Sequence, residues 1–368
     1  IFSRSRPQYA NYATSQFVSV KAEGAKGDGV TDDSAAIQAV FDKYWGCKII
    51  YFDAGSYYVT RTINIPTGST VVGEIWPTII GGGSAFSNQN SPTPVVKVGN
   101  AGDKGVTEIS ELVVSTRSGS QGAIGIQWNT ADASGQKGTS AAWDVHIRFG
   151  GAKGTNIDVS NCKARTAHAS TAACTAAFLG LHITKQASLY AEGTWVWAAD
   201  HDLEDGSEGQ IDVYSGRGLL SESASGPVWL IGTGVEHHAL YQYSFVNSNN
   251  VYAGLIQTET PYYQPSPAPP TPFSINSAYN DPSFTNGNAA WGLNVKSSKN
   301  VFVYGAGLYS FFQVCLFAAQ YFIWLTSIYR TTAKTACPAT PARTRSPRSA
   351  PIRAISTCTS SRLLVPHT

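Results

Sequence analysis

The sequence predicts an all-β chain wound as a parallel β-helix, with one short capping helix near its N-terminus. Three observations carry that expectation. The segments Val228 to Glu236 (VWLIGTGVE) and Val251 to Glu259 (VYAGLIQTE) overlay at a 23-residue offset, valine on valine, aromatic on aromatic and carboxylate on carboxylate. From Lys48 onward, short apolar or alternating runs such as KIIYF, TVVG, WDVHIRF, QIDVYS and NVFVYGAGLYSF are separated by Gly, Asn, Asp and Ser, with no long amphipathic helix between them. Gly is plentiful (35), Met is absent, charged residues are 14% and aromatics 11%, which suits short strands and many turns in a secreted protein. A chain of 368 residues exceeds the usual limit of one compact core. Rungs of about 20–25 residues that bury their inward side chains only by stacking meet that length with one elongated domain. A sandwich or propeller is the main competitor, and the fixed offset and lack of hairpin turns disfavour it.

The chain opens on Ile1 and a polar stretch without the apolar core of a signal peptide, so residues 1–17 are expected to be a linker from a preceding domain. Ala22 to Lys43 (AEGAKGDGVTDDSAAIQAVFDK) reads as a turn at Gly27 and Gly29, a cap at Thr31 or Asp32, and a helix with Ala36, Ile37, Val40 and Phe41 on one face. Its aspartates do not have EF-hand spacing, so capping and turn roles are preferred to calcium. Residues 18–312 are expected to form the β-helix. Pro261 to Pro282 holds seven prolines, which forbid a sheet interior, so a loop must leave the rung immediately after Glu259.

Residues 313–368 differ in kind: an apolar run is followed by Arg, Pro, Ser and Thr without an acidic residue. A membrane anchor is one reading. Translated intron followed by a shifted frame fits the abrupt change better, so an aberrant tail and no membrane contact are expected. This tail carries seven Lys or Arg, which leaves 19 basic against 24 acidic residues in the body, a net charge of −5. A mildly acidic body argues against a nucleic-acid partner.

Glu236 and Glu259 are the candidate catalytic residues. Equivalent positions on successive rungs lie about 4.8 Å apart, and paired carboxylates are the equipment of glycosidic hydrolysis. Two carboxylates that close cannot both ionise without cost, so one should hold a proton near neutral pH. Glu259 is expected to be that acid because the proline loop follows it directly, with Glu236 ionised; a solvated carboxylate ladder is the bland alternative. Around them TWVWAADHD, VEHHALYQY and IQTETPYYQP supply Trp195, Trp197, Asp200, His237, Tyr241 and Tyr262 as candidate sugar-binding residues. Aromatic rings pack on apolar faces of sugars, and carboxylates bind hydroxyls.

His201, His237 and His238 with Asp200 and Asp202 have no zinc-ligand spacing, so hydrogen bonding is preferred to metal. Adjacent histidines on a strand point to opposite faces. No P-loop, dinucleotide fingerprint or G-x-S-x-G is present, and no cofactor is expected. Cys162 and Cys174, twelve residues apart, are the candidate disulfide, with two buried thiols as the alternative. A disulfide would imply an oxidising, extracellular setting.

The motifs WDVHIR, TWVWAADHD, VEHHALYQY, IQTETPYYQP and VYGAGLYSFF resemble fungal exo-β-1,3-glucanases of glycoside hydrolase family 55 over residues 1–312. The opening AKGDGVTDDSAAIQAVFD resembles pectate-lyase-like helices in general. The resemblance implies one right-handed β-helix of a tandem pair, corresponding to the second half of a family member. It implies inverting release of glucose from β-1,3-glucan of the laminarin type. Carried over, Glu259 matches the general acid, Glu236 the second active-site carboxylate, and Trp197, Asp200 and Tyr262 the glucose pocket. The family's first β-helix, which helps hold the attacking water, has no counterpart here. The isolated chain is therefore expected to depend on that domain and to turn over slowly or not at all. Two other readings remain: a pectin-active lyase or hydrolase on the same fold, lacking here its Asp cluster or GHG turn, and a non-catalytic glycan-binding solenoid.

Overall fold

In the computed structural model, the described residues are 2–164, 172–207, 209–284 and 289–310. The strands build three parallel sheets of nine, nine and seven members, and the chain visits them in turn as a right-handed parallel β-helix. One rung shows the pattern: Val228–Ile231 lies in the first sheet, Gly234–Glu236 in the second and Tyr241–Val246 in the third. The next rung repeats it with Val228 against Val251, Trp229 against Tyr252 and Glu236 against Glu259. The 23-residue offset is therefore a true strand register.

Alternation along the strands feeds the core. On the first sheet the inward ladder runs Val18, Ile50, Val71, Ile109, Ala142, Ala191, Leu230, Ala253 and Val303, every member buried. Each such side chain is desolvated only by the rungs above and below it, so stability is shared along the stack.

The helix Ser34–Tyr44 lies at the N-terminal end against strands Ile49–Phe52 and Ile63–Ile65. It buries Ile37, Val40 and Phe41. The N-cap is Asp33, not Thr31 or Asp32, and its carboxylate accepts the Lys26 and Gly27 N–H groups instead of capping the helix; Asp32 takes the Ser34 N–H at 3.0 Å and Thr31 donates its hydroxyl to Asp28. The first residues reach the solenoid: Phe2 stacks on Trp229 at 4.5 Å, Arg4 pairs with Glu108, and Tyr9 donates its hydroxyl to Glu108 at 2.8 Å, whereas residues 10–16 are exposed.

Most rungs are longer than 23 residues, and in three of them much of the extra length falls at one corner. After second-sheet strands His146–Phe149, Trp195–Ala198 and Gln257–Glu259 come loops 150–174, 199–213 and 260–290, each ending at a third-sheet strand. All three therefore occupy the same corner of the solenoid. The rung carrying Glu236 crosses that corner with only residues 237–240, so it forms a low floor between raised walls. Covering by these loops also explains why third-sheet strands Thr175–Ile183 and Tyr214–Ser221 are buried along their whole length. The first loop is closed by a Cys162–Cys174 disulfide, with Cα atoms 5.7 Å apart, the first of the two readings that the sequence leaves open for this pair. The tail from 313 lies outside the described residues.

Candidate active site

The floor of that corner is a ladder on the outer face of the second sheet. Arg148, Trp197, Glu236, Glu259 and Tyr309 stand opposite one another in that order on successive strands. Two residues earlier, a companion ladder places Trp195, Gly234, Gln257 and Gly307. Side chains two apart on a strand share a face, so Trp195 and Gln257 flank the carboxylates.

Glu236 is buried and held from both sides. Trp195 Nε1 donates to its Oε2 at 2.9 Å, and Gln257 Nε2 donates to its Oε1 at 2.9 Å. The same Gln257 amide donates to Glu259 Oε1 at 3.3 Å. The two carboxylates are thus bridged by one side chain. Burial pushes the Glu236 carboxyl up to about 7, reinforced by the charges of Glu259 and Asp200, while the Trp195 bond opposes the rise. Glu259 is partly exposed; burial and Asp200 raise its pKa, and its bond from Gln257 lowers it. The sequence expects an ionised Glu236 beside a protonated Glu259; in the structure burial raises both carboxyls, Glu236 to about 7.

His237 turns out of strand Gly234–Glu236 with φ of 66°. Its Nδ1 donates to the Thr260 carbonyl at 3.0 Å, leaving Nε2 3.7 Å from Glu259 Oε2 and 3.9 Å from Asp200 Oδ1. Burial lowers its pKa, while the charge of Asp200 and the bond to Thr260 oppose the drop. His201 Nδ1 lies 2.8 Å from Asp200 Oδ2 and fixes that side chain. Tyr262, on the proline-rich loop, sets its ring 5.1 Å from that of His237 and completes a wall. Burial and the charges of Asp200, Glu259 and Glu236 push the Tyr262 phenol up to about 12. His238 points inward, as adjacency requires, and burial depresses it to about 3.

Of the expected sugar-binding residues, Trp195, Asp200, His237 and Tyr262 gather around the two glutamates. Trp197 is present but only 4% exposed. It stacks beneath Trp195 at 4.6 Å with planes 16° apart, and Arg148 lies over it at 5.7 Å, so it supports the platform instead of forming its open face. Tyr241 is a correction. It has no exposed surface and sits in the third sheet between Arg217 and Trp291, because the long loops bury both faces there. Gln257 was missed by sequence reasoning, although its position two residues before Glu259 carried the signal. Among the described residues no group of His, Cys, Asp or Glu is arranged to hold a metal ion.

Comparison with known proteins follows the same lines. Residues 17–174 match the rhamnogalacturonase A/epimerase, pectate lyase-like family. The chain is 48% identical over 85% of its length to a probable glucan endo-1,3-β-glucosidase of Arthroderma benhamiae, covering 36% of that protein. It is 45% identical over 84% of its length to a glucan 1,3-β-glucosidase of Cochliobolus carbonum, covering 39% of that protein. It is also 42% identical over 83% of its length to a non-secreted LysM effector, LysM15, of Penicillium expansum, covering 22% of that protein. The chain therefore spans well under half the length of these relatives.

Proposed function

We propose that this chain, a homologue of fungal glucan 1,3-β-glucosidases built on a pectate-lyase-like β-helix, carries the paired carboxylates of a secreted β-1,3-glucan hydrolase. The observation that carries the reading is the register of Glu236 on Glu259, bridged by Gln257 and flanked by the Trp195–Trp197 stack. A sugar ring would lie on Trp195 with its hydroxyls toward Asp200 and Tyr262.

Glu259 is the proposed general acid. It is the more open of the two carboxyls, and its bond from Gln257 is the longer, so it is freer to reach the glycosidic oxygen. Its proton passes to that oxygen as the C1–O bond breaks, while a water attacks C1 from the opposite face and gives up its own proton to solvent, from which Glu259 is reprotonated. Inverting enzymes keep acid and base about 6.5–9.5 Å apart to admit that water. The two Oε1 atoms that share the Gln257 amide are no further apart than its 2.9 and 3.3 Å contacts laid end to end. Glu236 therefore serves to orient water and tune Glu259, with part of the water site supplied from elsewhere. We take the reaction to be exo-acting and inverting on laminarin-type glucan, and the Cys162–Cys174 disulfide supports an extracellular setting.

Glycan binding without turnover is the second reading. The bridging of the carboxylates by one amide favours it, because the Oε1 atoms that face each other leave little room for a water between them. Incubating laminarin with the chain and with Glu259→Gln tests both. Hydrolysis predicts glucose release that falls about 10²–10⁴-fold in the variant. Equal release from the two proteins would remove Glu259 from the mechanism; binding of laminarin without release from either supports the second reading. Glucose alone as first product marks exo action, whereas mixed oligosaccharides mark endo action.

A further inference from the structure

The outer face of the second sheet does not end at Trp195. His146 Nδ1 accepts the Trp195 backbone N–H at 3.2 Å, and on its far side the His146 ring meets Trp76 edge-on, centroids 5.2 Å apart. Trp76 sits in the corner between strands Thr70–Gly73 and Thr78–Gly81, and is 50% exposed. Both Ile75 and Trp76 are left-handed, with φ of 48° and 64°. That conformation is disfavoured for bulky residues and persists only where the surroundings impose it.

The surroundings do so. Glu74 N–H donates to Phe52 O, Val113 N–H to Pro77 O, and a Cβ at Gly73 would stand 1.9 Å from the Glu111 carbonyl. The corner is clamped on both sides, and its strain turns a large ring outward in line with the candidate site.

We propose that Trp76 and His146 extend the Trp195 platform into a binding track for the leaving-group side of a glucan chain, running from the carboxylates toward the N-terminal rungs. The proposal rests on the glucan-hydrolase reading and adds its chain-length selectivity. His146 lies two strand spacings from the Glu236 strand, about 10 Å, and Trp76 lies beyond it. His146 Nδ1 accepts from Trp195, which leaves Nε2–H as a donor to a hydroxyl; burial lowers its pKa, with Asp144 opposing. A disaccharide at the carboxylates is too short to reach Trp76, whereas a hexasaccharide spans the track.

Binding of laminaribiose and laminarihexaose is measured by titration calorimetry on the full chain carrying Glu259→Gln, with and without Trp76→Ala or Trp76→Phe. Trp76→Ala is expected to weaken hexaose binding about five- to tenfold and leave the disaccharide unchanged, with Trp76→Phe recovering most of the loss. Unchanged hexaose affinity, or an equal loss for both sugars, would overturn the track while leaving the hydrolase reading standing. Failure of the parent protein to bind either sugar would overturn both.

Discussion

Glu236 and Glu259 stand directly opposite on adjacent parallel strands and share the amide of Gln257, at 2.9 and 3.3 Å, yet Glu236 is buried while Glu259 is partly open. The two strands are equivalent by sequence offset. Their environments differ because Trp195 packs against and bonds Glu236, while Glu259 lies at the foot of the proline-rich loop.

The raised Glu236 carboxyl makes stability depend on pH. Its pKa rises from 4.5 to about 7 on folding, so the folded state binds the extra proton between those values. Stability contributed by the neutral form is full below about 4.5 and lost as pH rises through about 7, amounting to roughly 3 kcal/mol. Denaturant titrations from pH 4 to 8 should show this decline, and Glu236→Gln should flatten it. An unchanged slope in the variant would assign the proton to another group.

Gln257 lowers the Glu259 pKa by donating to it. Gln257→Ala removes that donor, so the acid should hold its proton to higher pH. A general acid loses activity as pH rises through its pKa, so the alkaline limb of the kcat/KM profile is expected to move upward. The shift is limited by the about 1.5–3 kcal/mol that a hydrogen bond to a charged group contributes. A limb that stays in place would mean that Glu259 is not the group titrating there.

Far from the carboxylates, Arg217 and Asp281 form a fully buried ion pair, with Nε donating to Oδ1 at 2.7 Å and the guanidinium stacked over Phe178 at 3.9 Å. Asp281 lies on the loop that begins after Glu259, and it also accepts the Asn276 N–H at 2.7 Å. Removing one partner strands a buried charge, so Arg217→Met alone should cost about 3–5 kcal/mol. Arg217→Met with Asp281→Leu should cost less than the sum of the single variants, read from thermal or denaturant unfolding. Additive losses would show that the two side chains are not energetically coupled.

The β-helix and the carboxylate register were legible because both are periodic. A period of two assigns side chains to faces, and a 23-residue offset between VWLIGTGVE and VYAGLIQTE leaves one way to stack them. Trp195, Asp200, His237 and Tyr262 were legible for another reason, as aromatic and polar residues close in sequence to the two glutamates or in motifs that resemble those of a glucanase family. What periodicity cannot state is depth. Tyr241 reads like Tyr262 in sequence, but the three loops that gather on one corner bury the first and leave the second lining a wall. Trp195 and Trp197 alternate identically along their strand, and only packing under Arg148 decides which ring is open. The proton's place follows the same rule. Sequence established that two carboxylates meet; tertiary burial, a long-range property of loops distant along the chain, decided how strongly each is held neutral.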